Sequence, residues 1–436
     1  MTNHTEPKHN DLRDDACALQ VWGFPVVFAQ RLRLRFTSPS NPHVRRTSTS
    51  AGAPLNCLGH QRELADPTLT AGVAPNVDTL YSLAFVDLDS GTFELRLPDF
   101  ADRYYSVQIG EADSSTNTAL GQRTHGSRIP TITLFRRTPG SADTAADGWI
   151  ACRSRFVMIA IRILVDPSRE GDLHRVHQLQ NLIVLTGPSS PTAEHADLVL
   201  STVERSDEQR RPVAFLAALD HAIGGLADSD VPSWVRLTYR RLVDALEATV
   251  DRDTTEQNIA DGLLAGLEDI AVQVKSMGRI VNGWAINDAG AEFGTDHLLR
   301  AAVAYSQIYI NPAAEASYPV CEQDEDGRPL NGANNYAITF RAGHFPPAKY
   351  FWSVTVYHAK GLLYANELDR YAITDRTPDL ARDEDGSLTV VVRTTRPAPG
   401  TTVNWIPCPR GDFRLMLRLY GPRPGSWSPP PVIRLE

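Results

Sequence analysis

Apolar residues recur at every second position near both ends of this 436-residue chain and at every third or fourth position in its middle, which dictates the order sheet, helix, sheet. Val77, Thr79, Tyr81, Leu83 and Phe85 share one face of a strand, and Asp78, Leu80, Ser82 and Ala84 share the other. A turn at 87–91 leads to further strands at 92–97, 103–109, 131–135 and 155–164. In the middle, Val235, Tyr239, Leu242, Val243, Leu246 and Val250 form one stripe of an amphipathic helix, and 173–185, 197–204, 212–223, 256–267 and 292–309 also read as helical. Strands return at 336–341, 351–358, 388–394 and 413–420. In the last, Leu415, Leu417 and Leu419 alternate with Arg414, Met416 and Arg418, which predicts a sheet with one wet face. Residues 11–35 fit a helix interrupted near Gly23 and Pro25, and the Ser-, Thr- and Pro-rich stretch 37–59 reads as an exposed loop or flap.

These patterns place the chain in the α+β class and divide it into an N-terminal helix and loop (1–69), a β module (70–169), a helical segment (170–310) and a second β module (311–436). With 43 Lys+Arg against 52 Asp+Glu, the net charge of −9 argues against nucleic acid or an anionic membrane as partner. The first 30 residues start polar and acidic, unlike a secretory signal, and the densest apolar run, 156–165, is half a membrane span and contains Arg162. A soluble, cytoplasmic protein is expected. The five cysteines are scattered without a C-x-x-C pair, as expected of reduced thiols used as small hydrophobes.

Signatures of known chemistry are missing. No glycine-rich phosphate loop and no G-x-S-x-G elbow occurs, so neither a nucleotide cofactor nor a standard serine hydrolase is expected. His174 and His177 on a predicted helix lack a third ligand, and no metal site is expected. The Asp-Glu-Asp-Gly runs at 324–327 and 383–386 lack the spacing of a calcium loop and read as turns.

Three segments near the start, Val73-Ala74-Pro75-Asn76-Val77-Asp78-Thr79-Leu80-Tyr81-Ser82, Arg103-Tyr104-Tyr105 and Gly121-Gln122-Arg123-Thr124-His125-Gly126, resemble the domain of unknown function catalogued as 1254. Pro346 to Ser353, Asn366 to Tyr371, Asp385-Gly386-Ser387, Asn404-Trp405-Ile406-Pro407, and the stretches from Gly411 to Tyr420 and Trp427 to Pro430 resemble its companion, catalogued as 1214. The resemblance implies two β-sandwich or jelly-roll-like modules joined by an α-helical segment, in homo-oligomers, with no cofactor and no agreed reaction. The Arg-rich, acidic composition also fits an enzyme of secondary metabolism.

Candidate site residues lie in these motifs. Asp78, just after Asn76, is either tied to local hydrogen bonds or faces a cavity as an acid or base. Tyr104 shares a polar strand face with Ser106 and Gln108, with solvent as its default surroundings and a ligand-lined interior as the alternative. Arg123 and His125 sit on a loop, where functional groups are commonly displayed. Trp352, Tyr357, Asn366, Arg370 and Trp405 form either a sugar-binding surface or a packed core with stapled loops. Two functions follow. One is a cofactor-independent enzyme using Asp78 and His125 for acid–base chemistry on a small or carbohydrate-like molecule, with Asn76, Tyr104, Arg123 and Arg370 holding the substrate. The other is a non-catalytic protein that stacks a glycan or small ligand on exposed Trp352, Tyr357 and Trp405.

Overall fold

A computed structural model describes residues 11–38, 48–69, 72–137, 147–166, 168–189, 212–248, 251–398 and 404–436. The expected helix at 197–204 and Val250 of the amphipathic stripe lie outside the described residues. The fold is α+β.

The N-terminal module contains β1 (Gly59–His60), β2 (Thr79–Asp87), β3 (Phe93–Arg96), β4 (Tyr105–Gly110), β5 (Thr116–Gly121), β6 (Ile132–Arg136), β7 (Trp149–Cys152), β8 (Phe156–Leu164) and β9 (Val184–Thr186). They form two sheets, ordered β1-β2-β8-β4-β5 and β7-β6-β3-β9. Alternation then divides each strand between two environments. Leu80, Ala84, Val107, Ile109, Ile159 and Ile161 share one apolar cluster with Phe93, Leu95, Ile132 and Leu134 of the other sheet. On the opposite face, Tyr81 pairs across the strands with Arg162, and Arg162 with Ser106.

The C-terminal module comprises β10 (Arg279–Val281), β11 (Trp284–Ile286), β12 (Ala316–Ser317), β13 (Val320–Cys321), β14 (Asn335–Phe340), β15 (Ala348–His358), β16 (Ala372–Thr374), β17 (Leu388–Arg393), β18 (Asn404–Pro407), β19 (Phe413–Pro422) and β20 (Ile433–Leu435). One sheet runs β10-β11-β13-β19-β15-β16 with β12 also on β19, and the other runs β18-β17-β14-β20. Trp352, Val354, Leu415 and Leu417 share a cluster with Ile338, Phe340, Val390 and Ile406.

The helices are α1 (Leu12–Thr37), α2 (Gln122–His125), α3 (Asp172–Asn181), α4 (Pro212–Ile223), α5 (Ser233–Glu247), α6 (Arg252–Ser276) and α7 (His297–Ser306). Contrary to expectation, α1 continues through Gly23 and Pro25. The proline costs about 3 kcal/mol in a helix interior. Burial of Trp22, Phe24, Val26 and Val27, at about 1.5–3 kcal/mol for a fully buried large side chain, outweighs it. The long α6 lies directly on the α1 backbone: a Cβ at Gly262 or Gly266 would stand 2.2 Å from the Arg13 carbonyl oxygen or 2.8 Å from that of Cys17. Among the described residues, no helix is long and apolar enough to cross a membrane.

Two faces expected to be wet are buried, because the modules pack on each other through them. Arg418 and Met416 are 2% and 9% exposed, and Ser106 and Gln108 are fully buried. Within the stretch read as an exposed loop, Thr49 and Ala51 are buried, and 39–47 lie outside the described residues.

Candidate functional site

Asp78 immediately precedes β2 at the seam between the modules. Its carboxylate accepts hydrogen bonds from Ser353 Oγ at 2.6 Å and Arg376 Nη2 at 2.9 Å, so both oxygens are engaged by the C-terminal module. Asn76 Oδ1 accepts from the Asp78 N–H at 2.7 Å, and its amide donates to Tyr420 Oη at 2.8 Å. Tyr357 Oη donates to the Pro75 carbonyl at 2.6 Å. These three residues therefore meet at one seam. His125 lies apart on α2, half-buried, with Nδ1 against Thr124 Oγ1 of its own turn. Arg123 and Tyr104 converge elsewhere, on the buried carboxylate of Glu315 at 2.7 Å each. Burial and that carboxylate push the Tyr104 phenol well above its usual range.

The remaining candidates belong to the C-terminal module itself. Trp352 packs in its core with the Phe340 ring 5.3 Å away. Trp405 is buried, and its Nε1 donates to the Arg393 carbonyl at 2.9 Å. Neither indole forms an exposed stacking surface. Asn366 Oδ1 accepts the Leu368 and Arg370 N–H groups, and Arg370 Nη1 donates to the Trp405 carbonyl, which closes the loop on itself. His177 Nε2 bonds the Arg62 backbone oxygen at 2.6 Å. Asp324 and Asp385 accept backbone N–H groups of their own turns. Among the described residues, no cluster of His, Cys, Asp and Glu is arranged to hold a metal ion.

The concave site lies beside this seam, and Asn76 of the expected site residues lines it. A cavity of about 300 Å³ opens between α1, residues 49–51 and 72–76, the outer face of β2 and β8, and residues 307–309. Its apolar wall is built by Leu32, Phe36, Leu83, Phe85, Met158 and Ala160. Two of its residues hold left-handed backbone without being glycine, Ala74 at φ 47° and the β-branched Ile308 at φ 54°. Such strain costs about 1–3 kcal/mol per residue and tends to gather at functional sites.

On this wall stand Arg162 and Tyr81. Arg162 is 7% exposed. It donates from Nη2 to Gln108 Oε1 at 2.8 Å, from Nε to Tyr81 Oη at 3.2 Å, and from Nη1 to Asn311 Oδ1 at a long 3.5 Å. Every one of these partners is neutral in its ordinary state. Gln108 is held in turn by donating to the Thr116 hydroxyl and the Tyr309 and Ile310 carbonyls. Burial pushes the Tyr81 phenol up, but the Arg162 charge and the hydrogen bonds from Arg162 and Asn76 outweigh it and bring the group below its ordinary range. Tyr318 and Tyr420 lie near the same arginine, and burial drives both the other way. A tyrosine so placed is able to exchange a proton with a bound molecule, and the guanidinium is able to hold an anion or stabilise developing negative charge.

Sequence reasoning passed over both residues. The available signal was Arg162 itself, a cation inside the densest apolar run of the chain, paired in register with a tyrosine on an apolar strand face.

Comparison with known proteins matches this architecture. Residues 55–187 match the family described as "Protein of unknown function (DUF1254)", and residues 315–424 match "Protein of unknown function (DUF1214)". The chain belongs to this two-module family. The crystal structure of the VPA0106 protein from Vibrio parahaemolyticus is similar over 98% of this chain and 100% of that one, at 19% identity and a TM-score of 0.68. That of an uncharacterised protein from Burkholderia cenocepacia covers 94% of this chain and 87% of its own, at 14% identity and a TM-score of 0.45. No curated protein matches the chain.

Proposed function

We propose that this two-module protein is a cofactor-independent enzyme that binds a small molecule in the cavity beside α1 and acts on it by acid–base chemistry. In this reading Tyr81 transfers the proton and Arg162 stabilises the negative charge that develops. The observation that carries it is the pairing of a buried arginine with a tyrosine on the wall of a mainly apolar cavity large enough for a ligand. The acid–base role expected of Asp78 and His125 moves to this pair, because Asp78 is engaged by Arg376 and Ser353 while His125 faces its own turn. The shared apolar cluster within each pair of sheets also supports reading both modules as sandwich-like.

The test is metabolite profiling of a bacterial extract incubated with the purified full-length protein. A compound consumed by the wild type but not by Tyr81→Phe, which still binds it, is the expected result. Compounds that co-purify with the wild type yet are never converted would replace the enzyme with a non-catalytic binding protein at the same cavity.

A further inference from the structure

The charges on the cavity wall are one-sided. In a chain of net charge −9, the residues lining this cavity include two arginines, Arg35 and Arg162, and no Asp or Glu. Among the described residues no carboxylate forms an ion pair with Arg162, whereas Arg376, Arg123 and Arg300 each pair with one. Burying a guanidinium without a counterion is costly, and neutral amides and a phenol offset that only in part. A second group has the same character: the Thr49 hydroxyl lines this cavity, is buried, and has no hydrogen-bond partner among the described residues. A donor set left incomplete on an apolar wall is a preorganised acceptor site for an anion.

We propose that the ligand of this cavity is a small organic monoanion, a carboxylate with an apolar body. Its charged end lies on Arg162 and its body extends along Leu83, Phe85 and Met158 toward Leu32 and Phe36 of α1. This inference rests on the reading of the cavity as a small-molecule site and names the class of molecule. A carboxylate fits Arg162 better than a phosphate: the planar guanidinium matches its two oxygens, whereas a phosphate is ordinarily held by a cradle of backbone N–H groups. The volume of about 300 Å³ sits at the small end of ligand pockets.

Calorimetric titration of the full-length protein with octanoate and phenylacetate, and with octanol and 2-phenylethanol as uncharged counterparts, tests the assignment. The acids are expected to bind about ten-fold or more tightly than the alcohols. Arg162→Gln is expected to weaken the acids by about 30-fold or more while leaving the alcohols unchanged. Arg162→Lys, which keeps a buried cation, supplies the same comparison if the glutamine variant does not fold, with an intermediate loss. Ala160→Phe, filling the cavity floor with Arg162 intact, is expected to abolish binding of both classes. Equal binding of acids and alcohols, or acids indifferent to Arg162, overturns the anion assignment and leaves the small-molecule reading standing. Acids indifferent to Ala160→Phe bind outside this cavity and overturn both. Absence of binding by either acid also overturns the anion assignment, and octyl phosphate binding more tightly than octanoate replaces the carboxylate with a phosphate ester.

Discussion

The two facing sheets each carry an arginine–tyrosine pair, and the pairs have different surroundings. In the C-terminal module, Arg418 donates to Thr355 Oγ1 at 2.9 Å, to the Ala74 carbonyl at 2.7 Å and to Tyr357 Oη at 2.6 Å. The charge of Asp78 acts on this pair, and the Tyr357 phenol is raised, chiefly by burial. In the N-terminal module, Arg162 makes fewer and longer bonds to Tyr81 and neutral amides beside a cavity, and the Tyr81 phenol is lowered. The first pair is closed by backbone oxygens, with the charge of Asp78 nearby, and joins the modules. The second is left open on one side. A buried charge is thus read from how completely it is bonded, not from its burial.

The largest expected effect breaks the comparison directly. Arg418→Met strands the Ala74 carbonyl and removes the bonds to the Thr355 and Tyr357 hydroxyls, and is expected to cost about 3–5 kcal/mol in chemical denaturation. Arg162→Met strands no carboxylate, and its stability should stay within about 1 kcal/mol of wild type. Equal losses in the two variants would erase the distinction. Next, Asp78→Asn removes one of the two carboxylates paired with Arg376, leaving Asp375, and is expected to cost about 1.5–3 kcal/mol, whereas His125→Ala should stay within about 0.5 kcal/mol by the same measurement.

A smaller effect depends on pH. Burial raises Asp375, beside Arg376 and Asp78, to about 6. A carboxyl raised in the folded state binds more protons there than in the unfolded chain, so stability falls as pH rises from about 4 to 6 and the penalty is fully present above that window. Asp375→Asn should remove this slope and recover about 1 kcal/mol at neutral pH after allowance for screening, measured as denaturation midpoints across the window. The smallest effect is spectroscopic. One phenol should titrate below the ordinary tyrosine range of about 10, vanish in Tyr81→Phe and move upward in Arg162→Met. Because the folded value lies below the unfolded one, the stabilisation from Tyr81 ionisation is fully present above the unfolded value and lost as pH falls through the folded one. A Tyr81 that titrates with Tyr357 would make the two pairs alike.

Much of this fold was legible residue by residue. The strand at 155–164 and the helix at 212–223 correspond to β8 and α4, since alternation and helical spacing are local properties of the chain. The breaks expected in α1 were not found, because Pro25 is weighed against helices that arrive from elsewhere in the sequence. The candidate residues were legible in part. Asn76, Asp78 and Tyr357 do meet, but as a seam; Asn76 also lines the cavity, and Arg162 was visible only as an anomaly in an apolar run.

By itself the sequence determined the broad order of sheet, helix and sheet, without β9, β10 and β11 inside the stretch read as helical, and which side chains share a face: Tyr81 with Leu83, Arg162 with Ala160, Arg418 with Met416. Tertiary structure alone decided what covers each face. Period-two alternation separates two sides of a strand but says nothing of the medium on either. Solvent, a second module and a cavity all accept the same pattern. Only when the modules close does one arginine find backbone oxygens and a neighbouring carboxylate, while the other faces a space without either.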